Sequence, residues 1–162
     1  MAERDTCIKA GQHIKEAIRA AEMIRERVHF YFVPETLEYL RKGGRMGTAS
    51  ALLGTILKIR PILTVDMKAG MTHLWGKARG TAAAVQRMLE LLAADDLRYG
   101  LREIIVHHIN APERAAQLKR QLSDKYRCPI TVCTIGPVIG LHTGLGTIGI
   151  VYTTKMVPAE SA

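Results

Sequence analysis

The chain has 162 residues, 48% of them hydrophobic and 23% charged, which predicts one domain able to bury a core without disulfides or metals. Aromatic residues number 2 Phe, 1 Trp and 5 Tyr, too few for the stacking surface that single-stranded nucleic acids need. The net charge of +8 is spread over the chain, and no nucleic-acid-binding module is evident. We therefore expect no nucleic acid, but a basic face for an acidic partner or for transient contact with anionic membrane headgroups.

Cysteine usage bears on the compartment of the protein. Cys7, Cys128 and Cys133 are odd in number and form no CxxC pair, which argues against a disulfide framework and against a zinc finger. The first residues lack the apolar segment of a signal peptide. Both observations predict a cytoplasmic protein.

Helix and strand patterns alternate along the first half of the chain. Apolar residues at helical spacing predict a helix over about 8–27, and the run Val28–Val33 predicts a strand that Pro34 stops. A short helix is expected over Thr36–Lys42, because the next two residues are glycines that let the chain turn. The remaining predictions are a helix over Thr48–Leu57, a strand over Ile59–Val65 in which Pro61 indicates an edge or a strand start, and a partner strand over Met71–Trp75.

The second half continues the alternation. A helix is predicted over Thr81–Ala94, and Glu103–His108 resembles a strand buried on both faces. Pro112–Tyr126 opens with Pro and Glu and predicts another helix. The last predicted elements are a strand over Ile130–Ile135, a glycine-rich loop, and a strand over Thr147–Thr154. This order predicts an α/β domain with a mixed sheet.

The segment Cys128–Thr154 contains no charged residue and is long enough on paper to span a bilayer. It also contains two prolines, several glycines and many threonines, and its apolar runs are short and β-branched. Two strands joined by a glycine-rich turn therefore explain it better than a membrane helix.

The same segment includes Gly144–Gly149, which reads GxGxxG. A dinucleotide-binding loop of that pattern must open a helix, with an acidic residue about twenty positions further on. Here the residues that follow favour a strand. The context therefore argues against nucleotide binding.

His107 and His108 are adjacent in a predicted strand, so their side chains point to opposite faces and do not readily bind one metal. No partner at metal-ligand spacing accompanies them. We expect one histidine to be packed and the other solvated, and no metal site.

Two glycine-rich segments have the composition of a binding site. Lys42–Gly47 places Arg45 among three glycines, including Gly44, where a backbone can approach a ligand and a guanidinium can bind a carboxylate or phosphate. Ile135–Gly146 places His142 among glycines inside the uncharged segment, where an imidazole can donate to an acid group at the mouth of an apolar pocket. A glycine turn with an incidental histidine is the alternative interpretation of the second segment.

At these two segments the sequence resembles the DegV family of bacterial fatty-acid-binding proteins, which includes the binding subunits of fatty acid kinase. The matching segments are Thr36–Gly47 and Gly136–Gly144, with shorter matches at Leu53-Gly54, Lys58–Leu63, Lys77–Arg79 and His108–Asn110. They occur in family order from about residue 11 to residue 152.

The resemblance implies a two-layer α/β fold with a mixed sheet of about six strands. It implies a non-catalytic protein without a cofactor, which binds a long-chain fatty acid or its acyl phosphate and presents the head group to a separate kinase. By position, Arg45 and His142 would hold the carboxylate, with Gly44, Thr143 and Gly144 shaping the loops. Apolar residues that would line a tunnel for the acyl chain include Leu53, Ile56 and Ile62.

The sequence departs from the family pattern in two ways. Leu141 and Leu145 stand where the family commonly has Thr and Pro, which indicates an altered loop. Family members are also about twice as long, so the chain resembles the C-terminal domain alone, as an expressed fragment, a split gene product or a truncated relative. A missing N-terminal domain or a second chain is then a possible partner. The alternatives are a substrate-binding piece of a dihydroxyacetone-kinase-like phosphotransferase and an interaction domain that has lost its ligand.

Overall fold

A computed structural model describes residues 14–52, 59–66 and 69–158. The helices are α1 (Ile14–Arg25), α2 (Glu38–Lys42), α3 (Thr81–Tyr99), α4 (Pro112–Lys125) and α5 (Pro137–Thr143), and a 3-10 helix covers Gly47–Leu52. The strands are β1 (Val28–Val33), β2 (Ile59–Asp66), β3 (Met71–Arg79), β4 (Leu101–His108), β5 (Ile130–Thr134) and β6 (Ile148–Thr154). The α/β class and the mixed sheet predicted from the sequence are confirmed.

The six strands form one sheet in the order β3-β2-β1-β6-β4-β5, in which only β4 and β5 are parallel. Both strands expected in the uncharged segment, β5 and β6, are present, but β4 lies between them in the sheet and a helix connects them in place of the expected turn. β2 pairs with β3 along its whole length but with β1 only at Leu63. Pro61, which lacks an N–H donor, therefore lies in a stretch that has no ladder on its β1 side, which agrees with the edge character expected of it.

The two faces of the sheet are covered differently. On the α3/α4 face, Val33, Ile104, Val106, Ile148 and Ile150 are buried against side chains of α3 and α4 such as Met88 and Leu118. On the opposite face, named here the α2 face, Phe32 and Leu63 pack against Leu40 of α2 and Ala49 of the 3-10 helix. The rest of the α2 face is less covered: Phe30, Ile105 and Val151 are only half-buried. Burial of β4 on both faces is therefore not observed.

The segment between β5 and β6 is a helix where the sequence predicted a loop. Pro137 occupies the first turn of α5, where its missing N–H costs nothing, and Gly144 ends the helix with φ +82°. Gly140 lies in the middle, and a Cβ there would be in contact with Ile109 at 3.8 Å. Packing of this short helix on the residues after β4 thus outweighs the low helix propensity of glycine.

The helix predicted over Thr48–Leu57 is a 3-10 helix at its beginning, and residues 53–58 lie outside the described residues. Among the residues that are described, no helix has the length and apolar character needed to cross a bilayer.

Candidate functional site

The two glycine-rich segments singled out in the sequence meet in the structure, because α2 and α5 pack against each other. His142, at the end of α5, lies so close to Gly43 that a Cβ on Gly43 would overlap its Nδ1. Tyr39 of α2 lies equally close to Gly144, where a Cβ would overlap the phenol ring. Glycine at both positions therefore allows the close approach of the two segments.

Arg45 follows α2 by three residues and is exposed to solvent. Its backbone N–H donates to Leu40 O at 2.8 Å, which fixes the turn, and its Nη1 donates to Gly43 O at 3.2 Å. The side chain is exposed, and no carboxylate of the described part of the chain forms an ion pair with it. The guanidinium is therefore available to an external anion next to Gly43, the residue that His142 also contacts.

His142 has a polar atom that no neighbour satisfies. Its Nδ1 is buried and has no hydrogen-bond partner among the residues that the structure describes. A buried polar atom without a partner costs about 1–3 kcal/mol, and such atoms are uncommon in folded proteins. The nitrogen is well suited to bond a ligand atom that reaches it.

The other predicted loop residues have conformational roles. Gly44 has φ +65°, and no atom in the described part of the chain lies within 4 Å of an added Cβ, so the turn requires glycine for its backbone conformation. Thr143 is buried, and its hydroxyl donates to Ile139 O at 3.2 Å within α5. Thr147 closes the loop by donating to Thr143 O and Gly144 O, both at 2.9 Å. Thr143 and Gly144 therefore shape the loop, and the Thr143 hydroxyl is used within α5.

The residues predicted to line a tunnel do not lie beside Arg45 and His142 in the described part of the structure. Leu53 and Ile56 lie outside the described residues. Ile62 is fully buried, but in the core on the α3/α4 face, away from the side on which Leu40 and Ala49 pack. Its neighbour Leu63 faces α2, because successive strand residues point to opposite faces. Ile62 therefore does not share a cluster with the residues around Arg45, and Leu63 does.

The histidine pair at the end of β4 was expected to comprise one packed and one solvated ring. His108 is the packed one: its Nδ1 accepts from Ala111 N at 3.3 Å, and its Nε2 lies 3.4 Å from Thr134 Oγ1. His107 is half-buried and not fully solvated, and its Nε2 is buried without a partner in the described structure. Burial, together with the adjacent His108, lowers the pKa of His107.

Sequence reasoning missed an ionic cluster beside the loop after α5. Glu35, just after β1, accepts from Arg60 Nη2 at 2.9 Å and from Arg114 Nη1 at 3.1 Å. A Cβ on Gly146 would contact the Glu35 side chain at 3.3 Å. The cluster therefore joins β2, α4 and the loop that follows Gly144, and only the spatial arrangement, not the spacing in sequence, reveals it.

A second polar cluster lies under α3, on the α3/α4 face of the sheet. Tyr152 Oη donates to Asp95 Oδ2 at 2.6 Å, and His29 Nδ1 lies 3.4 Å from the same oxygen. Burial is the main cause that lowers the pKa of His29, against the attraction of Asp95. Burial likewise raises the pKa of Tyr31 to about 12 and also raises that of Tyr152. These groups stay neutral near pH 7, beside the Asp95 carboxyl.

A cavity of about 340 Å³ lies between α3 and α4, and its lining includes Val85, Leu89 and Leu118. It is on the α3/α4 side and contains neither Arg45 nor His142. The candidate site is thus defined by the meeting of α2 and α5 and not by this cavity.

Comparison with known proteins identifies the family. A family model described as "Uncharacterised protein, DegV family" matches residues 2–155. A DegV domain-containing protein of Clostridium acetobutylicum is 43% identical over 145 residues, which are 90% of this chain and 50% of the relative. The chain spans about half the length of the curated relatives that it matches.

Solved structures share the fold. The crystal structure of DegV from Bacillus subtilis, described as a fatty acid binding protein, is 34% identical with a TM-score of 0.80, and the match covers 94% of this chain and 54% of that one. The fatty acid kinase B3 protein of Streptococcus pneumoniae, loaded with linoleic acid, is 21% identical with a TM-score of 0.77, and the match covers 94% and 54%. The second likeness concerns the fold alone. With a family model matched over nearly its whole length, the chain belongs to the DegV family.

Proposed function

We propose that this chain binds a long-chain fatty acid, or its acyl phosphate, with the acid group at Arg45 and His142. The observation that carries the proposal is the contact of His142 with Gly43, which brings a buried, unpartnered imidazole nitrogen next to the loop of an exposed arginine. A guanidinium and an imidazole N–H are both donors, and a carboxylate accepts from both. The fatty acid binding described for DegV of Bacillus subtilis supports the same ligand class.

The acyl chain lies, in this proposal, on the α2 face. An apolar cluster there consists of Phe32, Leu40, Ala49 and Leu63, with Phe30, Leu37, Met46 and Leu74 packed partly buried against it. Burial of each methylene contributes about 0.8 kcal/mol, so contact with the partly buried members suffices for measurable affinity. In this proposal Leu63 lines the site in place of Ile62, because Leu63 belongs to the cluster on the α2 face, and Leu53 and Ile56 remain predicted lining residues.

A second domain completes the site in this proposal. The α5 helix and the turn after it expose four apolar side chains: Val138, Ile139, Leu141 and Leu145, the first of them 78% exposed. They flank His142, and a contiguous exposed apolar patch is typical of an interaction surface. Since the chain spans about half the length of its relatives, we assign this patch to a companion domain, in the same polypeptide or in another chain.

The chain has a binding role and no catalytic one in this proposal. The bound acid is presented to a separate kinase, which supplies the phosphoryl transfer. The fold likeness to a fatty acid kinase B3 protein supports this partner. Arg41, exposed beside Arg45, offers a positive charge to an acidic partner, whereas the neighbouring Lys42 is paired with Glu38 at 2.9 Å.

Native mass spectrometry of the chain purified from bacterial cells tests the proposal, with and without the companion domain of a relative. We expect a co-purifying fatty acid. Arg45→Ala and His142→Ala should each weaken octadecanoic acid binding about tenfold and leave octadecanol binding nearly unchanged, because only the acid accepts charge-assisted hydrogen bonds. Arg41→Ala, which removes a neighbouring exposed guanidinium, is the matched control.

Absence of a bound acid under both conditions would overturn the proposal. Equal losses for acid and alcohol would show that the variants act on packing and not on the head group. Turnover of ATP with dihydroxyacetone, without acid binding, would instead favour the phosphotransferase alternative.

A further inference from the structure

His107 presents a second polar atom that nothing in the described structure satisfies. It is the next-to-last residue of β4, and its side chain points to the α2 face, opposite to His108. Its Nε2 is buried without a hydrogen-bond partner among the described residues. Leaving a ring nitrogen buried and unpaired is unfavourable, so the position indicates a group that bonds to it when the site is filled.

An unbroken row of rings joins His107 to the apolar cluster of the proposed acyl site. His107 contacts Phe30 edge-on, with the ring centres 6.2 Å apart and the planes at 85°. Phe30 stacks on Phe32 at 5.3 Å, and Phe32 belongs to the cluster with Leu40 and Leu63. An acyl chain lying on this cluster therefore runs toward His107.

The strand between β1 and β4 carries no side chain in this row, where its backbone packs closely on β1. Gly149 of β6 is paired with Phe32 on one side and His107 on the other, so no side chain stands between them on the α2 face. A Cβ on Gly149 would come within 2.9 Å of Phe32 Cβ. With neighbouring strands about 4.8 Å apart, β1 and β4 are separated by about 10 Å.

Neighbouring polar groups do not account for the orphan nitrogen. Cys133 is paired with His107 on β5, but its Sγ donates to Thr134 O at 3.6 Å. His108 uses its nitrogens on the other face, toward Ala111 and Thr134. The lowered pKa keeps the His107 ring neutral near pH 7. Nε2 of a neutral ring donates or accepts one hydrogen bond, according to its tautomer, and a hydroxyl oxygen is a partner for either.

We propose that His107 is a specificity-determining residue, and that the preferred ligand is a fatty acid with a hydroxyl or oxo group on its chain, bonded to His107 Nε2. The inference rests on the proposed function, because it requires an acyl chain on the α2 face. His142 and His107 serve different parts of the ligand: His142 contacts Gly43 beside Arg45, whereas His107 contacts Phe30 of the apolar cluster.

Binding of matched acids to the delipidated full chain tests the proposal. The probes are octadecanoic acid and its 10-hydroxy and 12-hydroxy derivatives, measured by calorimetry. We expect the better hydroxy acid to bind about fivefold more tightly than octadecanoic acid, as one net hydrogen bond provides. His107→Leu should bring the ratio to within twofold of unity, and His107→Gln should keep part of the preference.

Thr131→Val is the matched control, because it removes a hydroxyl from the same face of the sheet. Thr131 is paired with Ile105, two residues before His107 on β4. The variant should leave the ratio of hydroxy acid to octadecanoic acid affinity unchanged. A spectroscopic measurement on the wild type keeps the test independent of how the variants fold. The ¹⁵N shift of His107 Nε2 should move on addition of the hydroxy acid and stay in place with octadecanoic acid.

The outcomes separate this inference from the function on which it rests. If octadecanoic acid and both hydroxy acids bind equally well, or if His107→Leu keeps the preference, the role of His107 is overturned and the proposed function stands. If the Nε2 shift is the same with every acid, the nitrogen bonds water or protein, and the inference is again overturned. If no acid binds, the proposed function fails and this inference fails with it.

Discussion

The imidazole of His142 lies so close to Gly43 that even one added carbon on Gly43 would overlap Nδ1. The backbone at Gly43 has φ −81°, a value that any residue adopts, so space and not conformation requires glycine there. At Gly44 the reverse holds, since φ is +65° and no atom of the described residues lies within 4 Å of an added Cβ. Glycine is thus required at position 43 by the neighbouring imidazole and at position 44 by the backbone conformation.

Gly43→Ala and Gly44→Ala should separate these two requirements. Gly44→Ala strains the backbone and should lower the free energy of unfolding by about 1–2 kcal/mol, with little effect on acid binding. Gly43→Ala displaces the imidazole, so it should weaken fatty acid binding severalfold in addition to costing about 1–3 kcal/mol of stability. Urea unfolding and calorimetry measure the two effects, and equal affinities of the two variants would contradict the assigned contact.

Ile62→Val and Leu63→Val should differ in binding although both trim the buried part of β2. Each variant should lower the free energy of unfolding by about 0.5–1.5 kcal/mol. Only Leu63→Val should change octadecanoic acid affinity, because Leu63 alone of the two shares the cluster on the α2 face. A larger loss of affinity in Ile62→Val would place the acyl chain on the α3/α4 face.

Tyr152→Phe should destabilise the protein by about 2 kcal/mol, because it removes the hydroxyl that donates to Asp95 Oδ2 at 2.6 Å. Tyr126→Phe is the control in the same core, where the described structure gives the hydroxyl no hydrogen bond and the ring lies under the Lys125 ammonium. Thermal unfolding of both variants measures the difference. Equal losses would mean that the hydrogen bond to Asp95 adds no stability beyond that of a hydroxyl without such a partner.

The pH dependence of stability should reflect His29. Its folded pKa lies below the ordinary value of 6.5, because burial against Tyr152 outweighs the attraction of Asp95. As the pH falls below about 6.5, the unfolded chain therefore binds a proton that folded His29 resists, and the free energy of unfolding decreases. Urea unfolding at pH 7.5 and 5.5 should show this decrease, and His29→Gln should make it smaller. A stability that rises on acidification would show that the pair with Asp95 dominates.

Glu35→Gln should cost little stability, because Arg114 is exposed and both Arg60 and Glu35 are only partly buried. Arg60 and Arg114 lie at 2.9 and 3.1 Å, but exposed ion pairs contribute only about 0.2–1 kcal/mol each. The wild type should lose about the same amount in 1 M salt, while the variant should be insensitive. Chemical unfolding at two salt concentrations measures this, and a salt-independent loss would indicate a packing role for the side chain at Gly146.

Most strands could be predicted from the sequence, because each has a dense local pattern of strand formers: Val28–Val33 is found with its predicted bounds. The α5 helix could not be predicted, because Gly140 and the threonines on both sides of the helix have low helix propensity. Its packing on Ile109 is a tertiary effect that the local sequence does not show. Pro137 and Gly144 are nevertheless a start and stop pair that marks a helix.

The sequence singles out the two glycine-rich segments that meet in the structure, but it does not predict on which face of the sheet Ile62 lies. Arg45 and His142 stand out because glycines surround them. The period of a strand shows that Ile62 and Leu63 face opposite ways, but it does not say which of them faces α2. That depends on the strand order, and the same order decides which of His107 and His108 lies beside Phe30.

The position of β6 also constrains how the protein is made. β1–β3 and β4–β5 form two blocks whose hydrogen-bonded ladders are joined by β6, the last of the six described strands, which lies between them. During synthesis the two blocks have no common ladder until residue 154 has been added. The centre of the sheet is therefore completed last, and a ribosome that stalls before β6 leaves the edges of β1 and β4 open to pairing with other chains.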